Sequence, residues 1–76
     1  MSPVRPSLTP REREVIVAFV TAGGTKRAAA QLGISESTAK NHLTSVRRKL
    51  GVDTTTQAFV LAVRNRLIAW REITID

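Results

Sequence analysis

The stretch TKRAAAQLGISESTAKNHLTSVRRKLG, residues 25–51, holds two helical patterns broken by a single glycine. In the second, Ala39, Leu43, Val46 and Leu50 recur at i, i+4, i+7 and i+11, one apolar stripe of an α-helix. Ser37, Asn41, Thr44 and Arg48 repeat that spacing on the opposite side, with Lys40 and Ser45 beside them. One face can pack, while the other offers hydroxyls, an amide and cations to something outside. In the first pattern Thr25 is the expected N-cap, and Ala28, Ala29 and Leu32 are the packing residues. Two of those three are small, which lets the next helix approach closely. Gly33 suits the left-handed residue that ends a helix, Ile34 returns to the core, and Ser35 caps the second helix of the pair. A helix, a short glycine-containing turn and a second helix form a helix-turn-helix.

Upstream, Leu8-Thr9-Pro10-Arg11-Glu12 signals another helix start. Thr9 is the N-cap, Pro10 suits the first helical position, and Glu12 completes a T-x-x-E capping box. Val15, Ile16, Phe19 and Val20 are the expected inward stripe, ending before Gly23-Gly24, and Val17 falls off it as an exposed valine. Downstream, the third helix spans about 36–50 and stops at Gly51. Thr54 and Gln57 make a second capping box, so a fourth helix is expected over about 55–67. Its inner face is Ala58, Leu61, Ala62 and Phe59, and its outer face carries Thr56, Val60, Val63 and Leu67. A helix apolar on both sides in so small a chain points to a homodimer, with this helix packing on its copy. The other reading is a helix that ends near Asn65 with its outer valines merely exposed. Ile68, Ala69 and Trp70 extend that helix and fold back on the core, Trp70 as a core cap. Ile73-Thr74-Ile75 alternates like a strand without a partner strand, so it is left as a tail. The resulting division is a flexible lead-in at 1–7, one domain at 8–69 and a C-terminal tail at 70–76.

Composition narrows the function. At 76 residues the chain is one domain, and its 42% hydrophobic content is enough for a small core. Without cysteine there are no disulfides, no zinc-finger spacing and no thiol chemistry. With a single histidine, His42, no acidic pair at a cleft-like spacing and no phosphate loop, an enzyme is not expected, nor a metal or cofactor. No apolar run reaches the ~20 residues of a membrane span, so a cytoplasmic protein is expected. Twelve Lys and Arg stand against six Asp and Glu. Six of the basic residues (Lys26, Arg27, Lys40, Arg47, Arg48, Lys49) fall between positions 26 and 49 with one acid, Glu36. Such a cluster is the electrostatic footprint of nucleic-acid binding, although a solvated charged face has the same composition.

The strings LTPREREV at 8–15, QLGIS at 31–35, STAKNHLTSVRRKLGV at 37–52 and TQA at 56–58 resemble the LuxR-type helix-turn-helix domain. That domain is the C-terminal output module of many bacterial transcription regulators, related to the FixJ and NarL response regulators. The resemblance runs from Leu8 to about Ile68 without an obvious gap. It implies an all-α fold of four helices, winged-helix-like but without the wing, with the fourth helix mediating dimerisation. It also implies double-stranded DNA as partner and the bacterial nucleoid as setting. Carried over by position, Lys40, Asn41 and Thr44 become the base readers, and Lys26, Ser37, Thr38, Arg48 and Lys49 the phosphate contacts. Their chemistry is compatible: Lys donates to guanine O6 and N7, Asn pairs with adenine, and the Thr methyl meets that of thymine. His42 is read as a packing residue at the edge of the third helix.

Some positions depart from the family pattern. Arg27 and Ala28 replace a usual glutamate and isoleucine, and Ala22-Gly23 replaces a glycine followed by leucine, implying a looser first turn. Arg47 stands where an apolar residue is common, within reach of a phosphate or a protein. Arg66 replaces a common glycine, which would let the fourth helix run on. An alternative function is a protein-interaction module, docking on RNA polymerase or a sigma factor through Val17, Arg47 or the outer face of the fourth helix. LuxR-type domains are usually fused to a receiver or ligand-binding domain. With none here, the chain is either free-standing from Met1 or a piece of a longer regulator.

Overall fold

The computed structural model describes residues 7–69 and 71. They form four α-helices: α1 (Pro10–Ala22), α2 (Thr25–Leu32), α3 (Glu36–Leu50) and α4 (Thr55–Arg64). No strand occurs among the described residues. Trp70 and the Ile73–Ile75 segment lie outside them, as do residues 1–6 of the lead-in.

Local chemistry explains the helix starts. Thr9 Oγ1 accepts from the Glu12 N–H at 3.1 Å while Glu12 Oε1 accepts from the Thr9 N–H at 2.8 Å, closing the capping box. Thr54 and Gln57 do the same for α4, with 3.1 and 3.2 Å bonds. Ser35 caps α3 by accepting from the Thr38 N–H at 3.0 Å. At α2 the structure corrects the expected cap: Thr25 is already helical, and the N-cap is Gly24, whose φ of 134° supplies no side-chain bond. The preceding turn is not loose. The N–H groups of Gly23 and Gly24 both donate to the Phe19 carbonyl, at 3.2 and 2.9 Å. Between α2 and α3, Gly33 has φ 69°, and the Ile34 N–H reaches back to the Ala29 carbonyl at 3.0 Å. That is the six-to-one bond of a left-handed helix stop, and it sets the angle at which α3 departs.

The core lies where α1, α2 and α3 meet and α4 packs on α3. Its buried residues include Val15, Ile16, Ala29, Ala39, Leu43, Val46, Ala58, Ala62 and Ile68. Four of these nine are alanines, so the helices approach backbone to backbone rather than through long side chains. Ala28 is fully buried too. On α1 the inward stripe shifts from the expected one. Ala18 is buried, Phe19 is half-buried, and Val20 is exposed. Val17 is not an exposed valine: it is half-buried against the core.

The end of α4 follows the shorter of the two readings. The helix stops at Arg64 with Asn65 as its C-cap, and not near 67, because Arg66 adopts φ 58° and the chain reverses. The N–H groups of Leu67 and Ile68 then both donate to the Ala62 carbonyl, at 2.8 and 3.3 Å. Ile68 swings in to become one of the largest fully buried side chains. It reaches the core by a turn, not by extending the helix. Leu67 packs against the core cluster and is not on the outer face of α4.

Candidate nucleic-acid interface

At 100° per residue, Ser37, Lys40, Asn41, Thr44 and Arg48 share an arc of about 100° on α3. All five side chains are exposed, while Ala39, Leu43 and Val46 on the opposite side are buried. The face is therefore set by the packing stripe: once Leu43 and Val46 are inside, these five must face out. Glu36, Ser37 and Thr38 form the exposed first turn of α3, where Ser35 Oγ donates to Thr38 Oγ1 at 2.8 Å. Lys26 and Arg27 are exposed in the first turn of α2. Thr25, Lys40, Thr44, Arg47 and Thr55 line one open depression of about 290 Å³, so the starts of α2 and α4 border the middle of α3. His42 is half-buried, as a packing residue would be.

Each flank of this face is tied down by a polar contact. On the α1 side, Glu12 is 4% exposed and its second oxygen accepts from Ser45 Oγ. Its first oxygen accepts from Lys49 Nζ at 2.7 Å. Burial alone would push the Glu12 carboxyl up. The bonds from Lys49, Ser45 and the Thr9 N–H, with the Lys49 charge, outweigh it and hold the group at about 2. On the α4 side, the Arg47 guanidinium donates to Thr55 Oγ1 at 2.9 Å and to Thr44 Oγ1 at 3.1 Å. Among the described residues, no buried side-chain nitrogen or oxygen lacks a partner.

Two of the residues assigned from sequence have intramolecular duties that their spacing did not reveal. Lys49 is half of an ion pair, and it also donates to the Ser7 carbonyl at 3.3 Å. Arg47 is held between α3 and α4 rather than projecting freely. Sequence reading missed Glu12 as a tether for α3, taking it as a helix-capping residue alone. The available signal was Ser45 and Lys49 four residues apart, on the flank between the packing stripe and the polar face.

The α4 surface is apolar in the middle. Val60 is 49% exposed, and it lines a shallow depression of about 360 Å³ with Val52, Thr56, Gln57 and Leu61. Val63 is half-buried and Thr56 exposed. Among the described residues no cluster of His, Cys, Asp or Glu could hold a metal ion, and no helix is long and apolar enough to cross a membrane.

Known proteins resemble this chain in sequence, and one solved structure resembles it in fold. The spore germination protein GerE of Bacillus subtilis is 45% identical over 60 residues, covering 79% of this chain and 81% of GerE. The probable transcriptional regulatory protein NarL of Mycobacterium tuberculosis is 37% identical over 67 residues. The transcriptional regulatory protein MctR of Rhizobium johnstonii is 42% identical over 48. The chain spans 31% of the length of NarL and 22% of MctR. A solved structure of the transcription factor GerE superposes with a TM-score of 0.74 at 39% identity, covering 82% of this chain and 92% of that one. The family model of the bacterial regulatory proteins of the luxR family matches residues 6–62. With that match over most of its length, the chain belongs to the luxR family of bacterial regulatory proteins.

Proposed function

We propose that the chain is a sequence-specific regulator of bacterial transcription that lays α3 in the major groove of double-stranded DNA. DNA binding and transcription regulation, not catalysis, are what its family does. The observation that carries the finer reading is the exposed arc of Ser37, Lys40, Asn41, Thr44 and Arg48, held outward by the buried stripe behind it. An α-helix fits the groove, and these side chains match base-edge chemistry. Lys40, Asn41 and Thr44 read bases from the middle of the length of α3. Lys26 at the start of α2, Ser37 and Thr38 at the start of α3 and Arg48 near its end contact phosphates and release counterions. Lys49 adds to that grip only through the N–H that Glu12 and Ser7 leave over.

The chain works as a homodimer on two half-sites about one helical turn apart. Exposed Val60, with Thr56, Val63 and the neighbouring depression on α4, supports an interface there. Leu67 contributes to the core instead. The setting is the bacterial cytoplasm, at the nucleoid.

Asn41→Ala tests the groove assignment. Affinity for a selected duplex should fall by about 1–3 kcal/mol, with discrimination lost at one base pair. Arg48→Ala should weaken all duplexes alike and flatten the salt dependence. Unchanged affinity in Asn41→Ala would remove α3 from the groove.

A further inference from the structure

Thr44 sits in the middle of the outward face of α3, and its hydroxyl is not free to adopt either polarity. Arg47 Nη2 donates to Thr44 Oγ1 at 3.1 Å, while Nη1 of the same guanidinium donates to Thr55 Oγ1 at 2.9 Å. Thr55 is the first residue of α4, so the planar fork is fixed at one end by a neighbouring helix. A hydroxyl has one proton to give and two lone pairs to receive with. Arg47 fills one lone pair, and its positive charge disfavours a second donor at the other. Among the described residues nothing accepts the Thr44 hydroxyl proton. What Thr44 presents outward is therefore a proton.

We propose that Arg47 is a specificity-determining positioning residue, which by donating to Thr44 makes that hydroxyl a donor toward the base edge. The proposal rests on the reading of α3 as the groove helix. In the major groove guanine offers the acceptors N7 and O6, thymine O4 and adenine N7, whereas cytosine offers only the N4 amino group. The base facing Thr44 is then one with an acceptor on its edge (guanine, thymine, or adenine through N7), and cytosine is rejected because two donors would meet. Arg47 itself touches no base in this scheme. It acts through Thr44, anchored by Thr55, and so connects the start of α4 to the specificity of α3.

The test begins with a duplex library randomised through its centre, from which the full chain selects its sites. Base preference is then compared among Arg47→Met, Arg47→Lys, Thr44→Val and the double variant Arg47→Met/Thr44→Val. Arg47→Met and Thr44→Val should each lose roughly fivefold to tenfold of discrimination against cytosine at the same base pair. The double variant should lose no more than Thr44→Val alone, since the two side chains act as one unit. Arg47→Lys should keep the salt dependence but lose the preference, because one ammonium cannot replace the fork. Should Arg47→Met fail to fold by circular dichroism, Thr55→Val keeps the side-chain shape, removes the anchor and should relax the same base pair. Equal weakening of all duplexes by Arg47→Met, with a shallower salt dependence, would make Arg47 a phosphate contact and overturn the proposal. So would a preference that survives every variant. A wild-type chain that enriches no sequence fails earlier and takes the groove reading down with it.

Discussion

Glu12 shows how one carboxylate can orient a whole surface. It closes the α1 capping box and, 5% exposed at its side chain, also receives Ser45 and Lys49 from α3. Its folded value of about 2 lies below the ordinary 4.5, so below pH 5 the unfolded chain binds the proton more readily. The resulting stabilisation is complete above about pH 5 and is lost as pH falls toward 2. Its size is about 2–3 kcal/mol. Denaturant unfolding at pH 6 and pH 3 should show that loss in the wild type and a flatter profile in Glu12→Gln. Parallel profiles would mean that the ion pair contributes little. The capping half of this role was legible in sequence, because T-x-x-E is a local signal. The bonds to Ser45 and Lys49 span 33 and 37 residues, and although those two share one flank of α3, nothing local names Glu12 as their partner.

At the scale of elements, starts were easier to read than stops. Thr9, Ser35 and Thr54 cap their helices as their spacing indicates, because an N-cap needs one side chain and the next turn. The end of α4 depends on tertiary demand. Ile68 must reach the core, and the chain reverses at Arg66 in a left-handed conformation that disfavours a side chain. The apolar pattern is compatible with an end near 65 or near 67 and could not reveal that competition. Arg66→Gly should relieve the strain at some cost in chain entropy, for a net gain of about 0.5–1 kcal/mol. A thermal melt should therefore rise by a few degrees. A lower melting point would show that the Arg66 side chain makes a stabilising contact worth more than the strain. On α1, the expected stripe placed Val20 inward and missed Ala18, because packing against α2 and α3 rotates the buried face toward the smaller residue.

At the scale of the molecule, the packed helix-turn-helix and its polar face were visible in periodicity and charge alone. The ties on either flank were not. α3 is held by Glu12 from α1 and by Arg47 against Thr55 of α4, so the direction in which its outward arc faces is fixed from both flanks. Dimerisation belongs to this scale. Val60→Glu would place a charge in the middle of the proposed α4 interface while leaving the buried Ala58 and Ala62 untouched. Sedimentation should then show a monomer that still melts as a folded protein, and binding to a paired site should weaken by about tenfold or more. Unaltered stoichiometry would place the interface elsewhere.

Sequence-specific reading of DNA by a pair of chains is tested most directly by selecting bound sites from random duplex DNA, with stoichiometry read by gel shift on the winners. The expected result is a two-fold symmetric motif with half-sites about one helical turn apart, bound by two chains. Recovery of sequences no different from the input library would contradict it.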